Sequence, residues 1–187
     1  MGRTRHLKLP YRNTFEIYRA AYTVIQNDAL LQRALTNEGV VIVPEIDSQQ
    51  MRHGDRPVLQ RCGSFEAEST VIREQVRGLL LKGTDCRQIA VLHRRKAGVS
   101  KLEKALKGQG VHITTFHACK GLEFDTVFIS QIQETFGNLP DEPEAISEER
   151  RLVYMAMTRA RQQLHMLYQG NLPLDLKCLQ EHCDMLQ

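Results

Sequence analysis

The chain has 187 residues, a length typical of one domain that can bury a hydrophobic core. Hydrophobic residues make up 42% and charged residues 25%, no apolar run is long enough for a membrane span, and the basic N-terminus lacks the apolar stretch of a signal peptide. The formal net charge of +3 permits a nucleic-acid partner without requiring one.

The first half of the chain contains helical and extended patterns with turn signals between them. A helix capped by Thr14 is predicted over residues 14–35, a short strand over 40–43 and a polar loop over 45–56. The next predicted elements are a strand at 57–62, a helix at 64–81 that stops at Gly83, a strand at 89–92 and a helix at 101–106 that ends at Gly108 and Gly110.

The second half continues the alternation. Strands are predicted at 111–115, 126–129 and 163–168, with an exposed loop at 137–143 and a long helix from about Ser147. Such alternation predicts an α/β fold with a mainly parallel sheet and helices on both faces. We expect a single domain over residues 1–187, with a tail at 172–187 that forms a short helix.

Cysteine is used in an odd and scattered pattern of five residues. This pattern favours reduced thiols in a cytoplasmic protein over a disulfide framework. Cys178, His182 and Cys183 lie close together, but three ligands without a second pair do not make a zinc motif, so no metal site is predicted.

Residues 115–124, with the sequence TFHACKGLEF, follow a predicted strand and precede another. In doubly wound sheets, ligands bind beyond the carboxyl ends of the strands. Gly121 allows close approach of the backbone to a ligand, His117 and Lys120 can donate to phosphate oxygens, and Glu123 can accept hydrogen bonds from a ribose. The alternative is a polar loop with a glycine turn.

Residues 148–160, with the sequence EERRLVYMAMTRA, have a helical pattern. Arg159 lies at the edge of the apolar stripe, where it could stabilise charge on a transferring phosphoryl group. The alternative is an arginine paired with a carboxylate, and a solvated basic face is the simpler interpretation for Arg161. The stripe itself combines six positions: Leu152, Val153, Ala156, Met157, Ala160 and Leu164.

Taken together, these blocks resemble motifs V and VI of the UvrD/Rep-like superfamily I DNA helicases. Residues 9–14, LPYRNT, resemble motif IV of the same helicases, although Pro10 stands where they usually have asparagine. Residues 89–96, IAVLHRRK, resemble a family strand that ends in a basic turn near single-stranded DNA, and a basic surface turn is the alternative. The four blocks match the C-terminal, second RecA-like domain of these helicases.

The resemblance implies roles for individual residues. Arg12 and Arg159 would reach the γ-phosphate of ATP, and Glu123 would contact the ribose with Gly121 beside the nucleotide. Single-stranded DNA would be contacted by Thr115, His117, Lys120 and Arg94.

Two departures from the family limit the activity that we expect. Neither the phosphate-binding Gly-x-x-x-x-Gly-Lys-Ser/Thr nor the Asp-Glu-x-Gln that holds Mg²⁺ occurs in the sequence. In the family both lie in the N-terminal RecA-like domain, so the chain resembles the C-terminal part of a longer helicase and should be inactive as an ATPase alone. The large accessory domain that many family members carry between motifs IV and V also has no counterpart.

Three functions remain open from the sequence. The first is the half of an ATP-dependent helicase or translocase that completes the ATP site and grips single-stranded DNA, with the N-terminal domain as partner and no membrane. The second is a stand-alone, non-catalytic module that binds nucleic acid or a protein. The third is a nucleotide-binding α/β domain unrelated to DNA.

Overall fold

A computed structural model describes residues 12–31, 33, 51–137, 139, 140 and 142–187. In these residues one sheet is built from β1 Val58–Cys62, β2 Ile89–His93, β3 His112–Thr115, β4 Phe124–Ser130, β5 Ala160–Gln169 and β6 Asp184–Leu186. The strand order is β3-β2-β4-β5-β1-β6, and each pairing is parallel. The predicted parallel α/β fold is therefore confirmed.

Helices cover both faces of this sheet. The α-helices are α1 Phe15–Ile25, α2 Phe65–Leu81, α3 Lys96–Ala105 and α4 Pro143–Met157, with 3₁₀ helices at Cys86–Gln88, Ile132–Glu134 and Leu174–Glu181. Alternate residues of β2 enter two separate cores, which is why its first four residues are buried. Among the described residues no helix has the length and apolar character needed to cross a bilayer.

The first face carries α1, α4 and the 3₁₀ helix Leu174–Glu181 over a core that includes Ile17, Leu59 and Val153. The second face carries α2 and α3 over a core that includes Ile72 and Leu102. Both cores follow from the period-2 alternation of apolar side chains along the strands.

Local signals in the sequence explain where two helices begin. The Thr14 hydroxyl accepts the backbone N–H of Ile17 and the Ser64 hydroxyl accepts that of Ala67, so both predicted N-terminal caps are formed. Pro143 occupies the first turn of α4, where its missing N–H costs no hydrogen bond. The helix therefore begins before Ser147, and the predicted loop at 137–143 ends sooner.

Two predicted helix boundaries are wrong. The helix predicted to reach residue 35 ends at Ile25, and the Asp28 carboxylate accepts the backbone N–H of Leu31 as the cap of a new turn. The helix predicted at 101–106 starts already at Lys96. Gly98 lies inside this helix although glycine disfavours helices. It is required because a Cβ there would lie 2.1 Å from the imidazole of His93.

The helical pattern was also extended too far at the end of α4. This helix stops at Met157, so Ala160 and Leu164 lie in β5 rather than on the predicted helical stripe. Both remain buried, because β5 carries them into the sheet core. The predicted strand at 40–43 and the loop residues 45–50 lie outside the described residues, whereas 51–56 form no regular structure.

The C-terminal tail is part of the fold rather than an appended helix. Leu176, Leu179 and Cys183 are buried in the first core, and β6 pairs with β1 from Val58 to Gln60. Sequence patterns did not reveal β6, because it has only three residues and all of them are exposed.

His165 provides a test of the core through pH. It stacks on Phe128 with ring centroids 4.9 Å apart, its buried Nδ1 has no hydrogen-bond partner among the described residues, and burial lowers its pKa to about 4. Between pH ~6.5 and ~4 the imidazole is protonated in the unfolded chain but stays neutral in the folded one. The free energy of unfolding therefore falls as the pH falls, by about 3 kcal/mol in total.

We therefore expect His165→Phe to gain stability relative to the wild type as the pH is lowered. Urea unfolding of both proteins at a series of pH values measures this difference. A difference that stays constant from neutral pH to pH ~4 would contradict it.

Candidate nucleotide and nucleic-acid site

One loop, residues 116–123, runs from the carboxyl ends of the strands to their amino ends. We call these two sides of the sheet its carboxyl edge and its amino edge. Thr115 ends β3 in register with His93, which is itself in register with Ser130 at the carboxyl end of β4. The loop then delivers the chain to Phe124 at the opposite, amino end of β4. Since β4 rises by ~3.3 Å per residue, its ends are separated by about 20 Å.

Buried side chains hold this loop on the first face. Phe116 and Cys119 are fully buried, and burial raises the pKa of the Cys119 thiol to about 11, so the thiol is a packing group at neutral pH. Gly121 has φ +84°, a conformation that favours glycine, and no atom lies within 4 Å of the position of an added Cβ. The loop is thus fixed at its start and open to the outside near Gly121.

Two of the predicted nucleotide contacts meet at the amino edge. The guanidinium of Arg12 is paired with the carboxylate of Glu123, although 74% of the Arg12 side chain is exposed. The Asn13 side-chain amide donates to the carbonyl of Thr158 at 2.9 Å and also to that of Ala160, which fixes the start of α1 against the turn between α4 and β5. Arg12 is therefore held at this corner by its neighbour.

Arg159 joins the same corner from that turn. Its Nε donates to the carbonyl of Met155 at 3.0 Å, and its Nη1 donates to the carbonyl of Leu122 at 3.1 Å. Since these partners are neutral, the guanidinium keeps its charge unpaired by any carboxylate of the described residues. Pairing with a neighbouring acid, the alternative considered from the sequence, is absent there.

We call Arg12, Glu123 and Arg159 the amino-edge cluster. Glu123 does not lie beyond the carboxyl end of a strand, since it immediately precedes the amino end of β4. The reason is topological: the short loop crosses the sheet face and carries the motif to the other edge.

The predicted nucleic-acid contacts lie towards the carboxyl edge and along the loop. Thr115 ends β3, and its hydroxyl accepts the backbone N–H of Ala118 at 3.3 Å. His117 and Lys120 are exposed and line a groove of about 480 Å³ between the loop and α4. The helix side of this loop–helix groove combines apolar and charged groups: Ala145, Glu148, Arg151, Leu152 and Met155.

Arg94 also lines the groove, but its guanidinium is already engaged. It forms a bidentate pair with Glu149, with Nε–Oε1 at 2.6 Å and Nη2–Oε2 at 2.9 Å. The Glu149 side chain is 3% exposed, so this pair ties the end of β2 to α4. Nη1 is the part of Arg94 that this bidentate contact leaves available.

Sequence reasoning missed two residues of this region and misjudged one. Glu149 lies four positions before Val153, so helical periodicity alone places this acid on the buried stripe and signals a cationic partner. Arg151 is exposed in the groove. Arg161 does not form a solvated basic face, because it is half-buried and binds Asp125 and Gln88 at 2.8 Å.

Comparisons with known proteins give the family and the fold of the chain. The family model described as the UvrD-like helicase C-terminal domain matches residues 5–113 and 106–171. A probable DNA helicase of Mycoplasma pneumoniae is 28% identical over 169 residues, which are 82% of this chain and 31% of that protein. ATP-dependent DNA helicase UvrD1 of Mycobacterium leprae is 46% identical over 61 residues, 30% of this chain and 8% of the relative.

The chain thus spans less than a third of the length of these two relatives. A solved structure, the C-terminal domain of a possible DNA helicase from Lactobacillus plantarum WCFS1, superposes with a TM-score of 0.69 at 20% identity. The match covers 96% of this chain and all of that one, which confirms the predicted RecA-like fold.

Proposed function

Because this chain belongs to the family of UvrD-like helicase C-terminal domains, we propose that it completes the ATP site of a DNA helicase and contacts single-stranded DNA. The observation that carries the proposal is the loop at 116–123. It has the amino-edge cluster at one end, and Thr115 and His117 at the other.

Arg12 and Arg159 are proposed to bind the γ-phosphate, and Glu123 the ribose. Guanidinium groups match phosphate oxygens in charge and geometry, and a carboxylate accepts hydrogen bonds from hydroxyl groups. The pair between Arg12 and Glu123 is an exposed one, so its opening costs about 0–1 kcal/mol. Arg12 is thus free to leave Glu123 for a phosphate, while Arg159 stays held by two carbonyls.

ATP with Mg²⁺ is the expected cofactor, and it would supply the phosphoryl group whose developing charge the arginines stabilise. We expect the P-loop and the Mg²⁺ ligands in the N-terminal RecA-like domain of the same protein, and the C-terminal domain alone to be inactive as an ATPase. Closure of the two domains would bring Arg159 to the phosphates and couple hydrolysis to motion along the strand.

The strand contacts are proposed to be Thr115, His117 and Lys120, with Arg94 through its remaining Nη1. These side chains donate to phosphate oxygens without reading base identity, as expected for a protein that moves along many sequences. The apolar side of the loop–helix groove, formed by Leu152 and Met155, offers contact for an unstacked base.

A substitution at His117 tests which ligand this end of the loop serves. We expect His117→Ala to weaken binding of a fluorescent oligothymidine by roughly tenfold, because a strand contact is lost. ATP binding should change much less, because His117 lies in the loop–helix groove and the amino-edge cluster does not include it. Fluorescence anisotropy and nucleotide titration on the same preparation of the two-domain protein measure both affinities.

The matched control is His112→Ala, which removes an exposed imidazole that stacks on Phe124 near the amino edge. Its strand affinity should equal that of the wild type. A larger loss of ATP binding than of strand binding in His117→Ala would reverse the assignment. Wild-type protein that does not bind the oligothymidine at low salt would contradict the proposed nucleic-acid function.

A further inference from the structure

A polar cavity of about 510 Å³ lies at the carboxyl ends of β5 and β1, away from the loop–helix groove. Its lining includes Gly170 and five polar residues: Arg61, Tyr168, Asn171, Lys177 and Gln180. A second cavity of about 410 Å³ shares Arg61 and Gly170 with it. The two form one open basin over the ends of these strands.

The basin is cationic. Arg61 and Lys177 are exposed, and among the described residues no carboxylate forms an ion pair with either of them. Two acids near Lys177 and β1 are paired with other cations, since Asp175 pairs with Arg150 and Asp184 pairs with Arg56. No acidic side chain lines either of the two cavities.

The backbone leaves this basin open. Gly170 ends the strand β5 with φ +63°, and no atom lies within 4 Å of the place of an added Cβ. Beside it Arg61 pairs in register with Tyr168, one residue before the end of β1. The guanidinium of Arg61 and the ammonium of Lys177 thus border the basin, and Gly170 leaves one end of it open. This arrangement suits a phosphate.

The basin lies on the same edge and the same face as the proposed strand contacts. Leu59, two residues before Arg61 in β1, packs in the first core with Phe116, so Arg61 projects to the face that carries the loop. The order β3-β2-β4-β5-β1 puts β1 four strand spacings from β3, about 19 Å. Glu134, which follows β4 between them, is paired with Arg95.

We propose that Arg61 and Lys177 form a second phosphate-binding site for the single strand that contacts Thr115, His117 and Lys120. This inference rests on the proposed function, because it extends the path of the same strand across the carboxyl edge. The ligand is the phosphodiester backbone, and the site binds it by charge and hydrogen bonding without regard to base sequence.

The double variant Arg61→Ala/Lys177→Ala tests this site with a fluorescent oligothymidine long enough to span about 19 Å. We expect its affinity to fall on the order of tenfold at low salt. We also expect the slope of log K against log salt to become shallower by about 1.4, which is ~0.7 for each lost phosphate contact with a single strand. Both side chains are exposed, so the fold should be kept, and circular dichroism checks this.

The matched control is Lys104→Ala/Lys107→Ala. It removes the same charge from exposed positions just before the amino end of β3, at the opposite edge. Its affinity and salt slope should remain those of the wild type. A matching loss in this control would mean that only net charge matters and would overturn the site.

Three further outcomes separate this inference from the proposed function. If the wild type binds the oligothymidine and the Arg61/Lys177 variant has the same affinity and salt slope, the second site alone is overturned. Loss of inorganic phosphate binding with unchanged oligothymidine binding would assign the basin to a small anion and also overturn it. Wild-type protein that binds no single strand would contradict the proposed function first.

Discussion

Replacing Arg159 by alanine should slow ATP hydrolysis by roughly 10³-fold or more in the two-domain helicase proposed above, while ATP binding stays largely intact. An arginine that stabilises charge only in the transition state affects turnover far more than ground-state affinity. Steady-state ATPase rates in the presence of single-stranded DNA, together with a nucleotide titration, measure the two effects separately.

The geometry explains why we expect Arg159 in particular to be needed for ATP hydrolysis. Hydrogen bonds to the carbonyls of Met155 and Leu122 orient the guanidinium, and both carbonyls are neutral, so its charge is available to a phosphate. Arg159 also shares a corner with the pair of Arg12 and Glu123 through the same loop. In the proposed function, where two domains close on ATP, a cation oriented in this way would act as an arginine finger.

Arg161→Ala is the matched control for this prediction. It removes the same side chain two residues later, but Arg161 binds Asp125 and Gln88 instead of the loop. We expect its turnover to remain within a few-fold of the wild type, since no phosphate contact is lost. An Arg159→Ala protein with near-normal turnover, or equal losses in both variants, would exclude Arg159 as the finger.

Glu68→Leu should destabilise the chain by about 3–5 kcal/mol, the largest effect on stability that we expect from a single substitution. Glu68 is fully buried in the first turn of α2. Its carboxylate accepts the Ser130 hydroxyl, the backbone N–H of Gln131 at 3.0 Å and the side-chain amide of Gln169 at 3.1 Å. Leucine would remove the acceptor of all three donors and leave the buried Ser130 hydroxyl without it.

This carboxylate joins the carboxyl ends of β4 and β5 to α2. Burial raises the pKa of Glu68, and the bonds from Ser130, Gln169 and Gln131 oppose that shift. Gln131 has φ +50°, a left-handed conformation that is uncommon outside glycine, so its backbone N–H is held to the carboxylate in a strained turn. Loss of the acceptor therefore affects the turn as well as the core.

Glu68→Gln provides the control for the polar network. Its carboxamide oxygen can still accept from Ser130 and Gln131, and its amide can donate to Gln169 once that side chain rotates. We expect a loss of no more than about 1.5 kcal/mol. Urea unfolding followed by circular dichroism measures both variants, and a leucine variant as stable as the glutamine variant would contradict the role of the network.

Local patterns in the sequence were enough to predict most elements of the sheet. The strands around residues 89–93 and 124–130 contain short apolar runs bounded by turns, and the helix starts at Thr14 and Ser64 have capping side chains. The motif blocks at 115–124 and 148–160 identified the family, because side-chain type and order survive without coordinates. These features depend on neighbours along the chain.

The locations of the site residues depend on neighbours in space. Nothing along the chain shows that eight loop residues cross from Thr115 at one edge to Glu123 at the other, because strand order and direction decide it. Arg94 was predicted as a phosphate contact, and only the structure shows that a buried acid 55 residues away engages two of its donors. Long-range pairing of this kind leaves no periodic signal.

The sequence by itself determined the family and the parallel α/β class, and it supplied the candidate site residues. Only the tertiary structure decided that Arg12, Glu123 and Arg159 share one edge of the sheet, while Arg61 and Lys177 line a cavity at the other. The physical reason is that hydrophobic periodicity and capping act over a few residues, whereas the order of strands in a sheet is fixed by packing across the whole core.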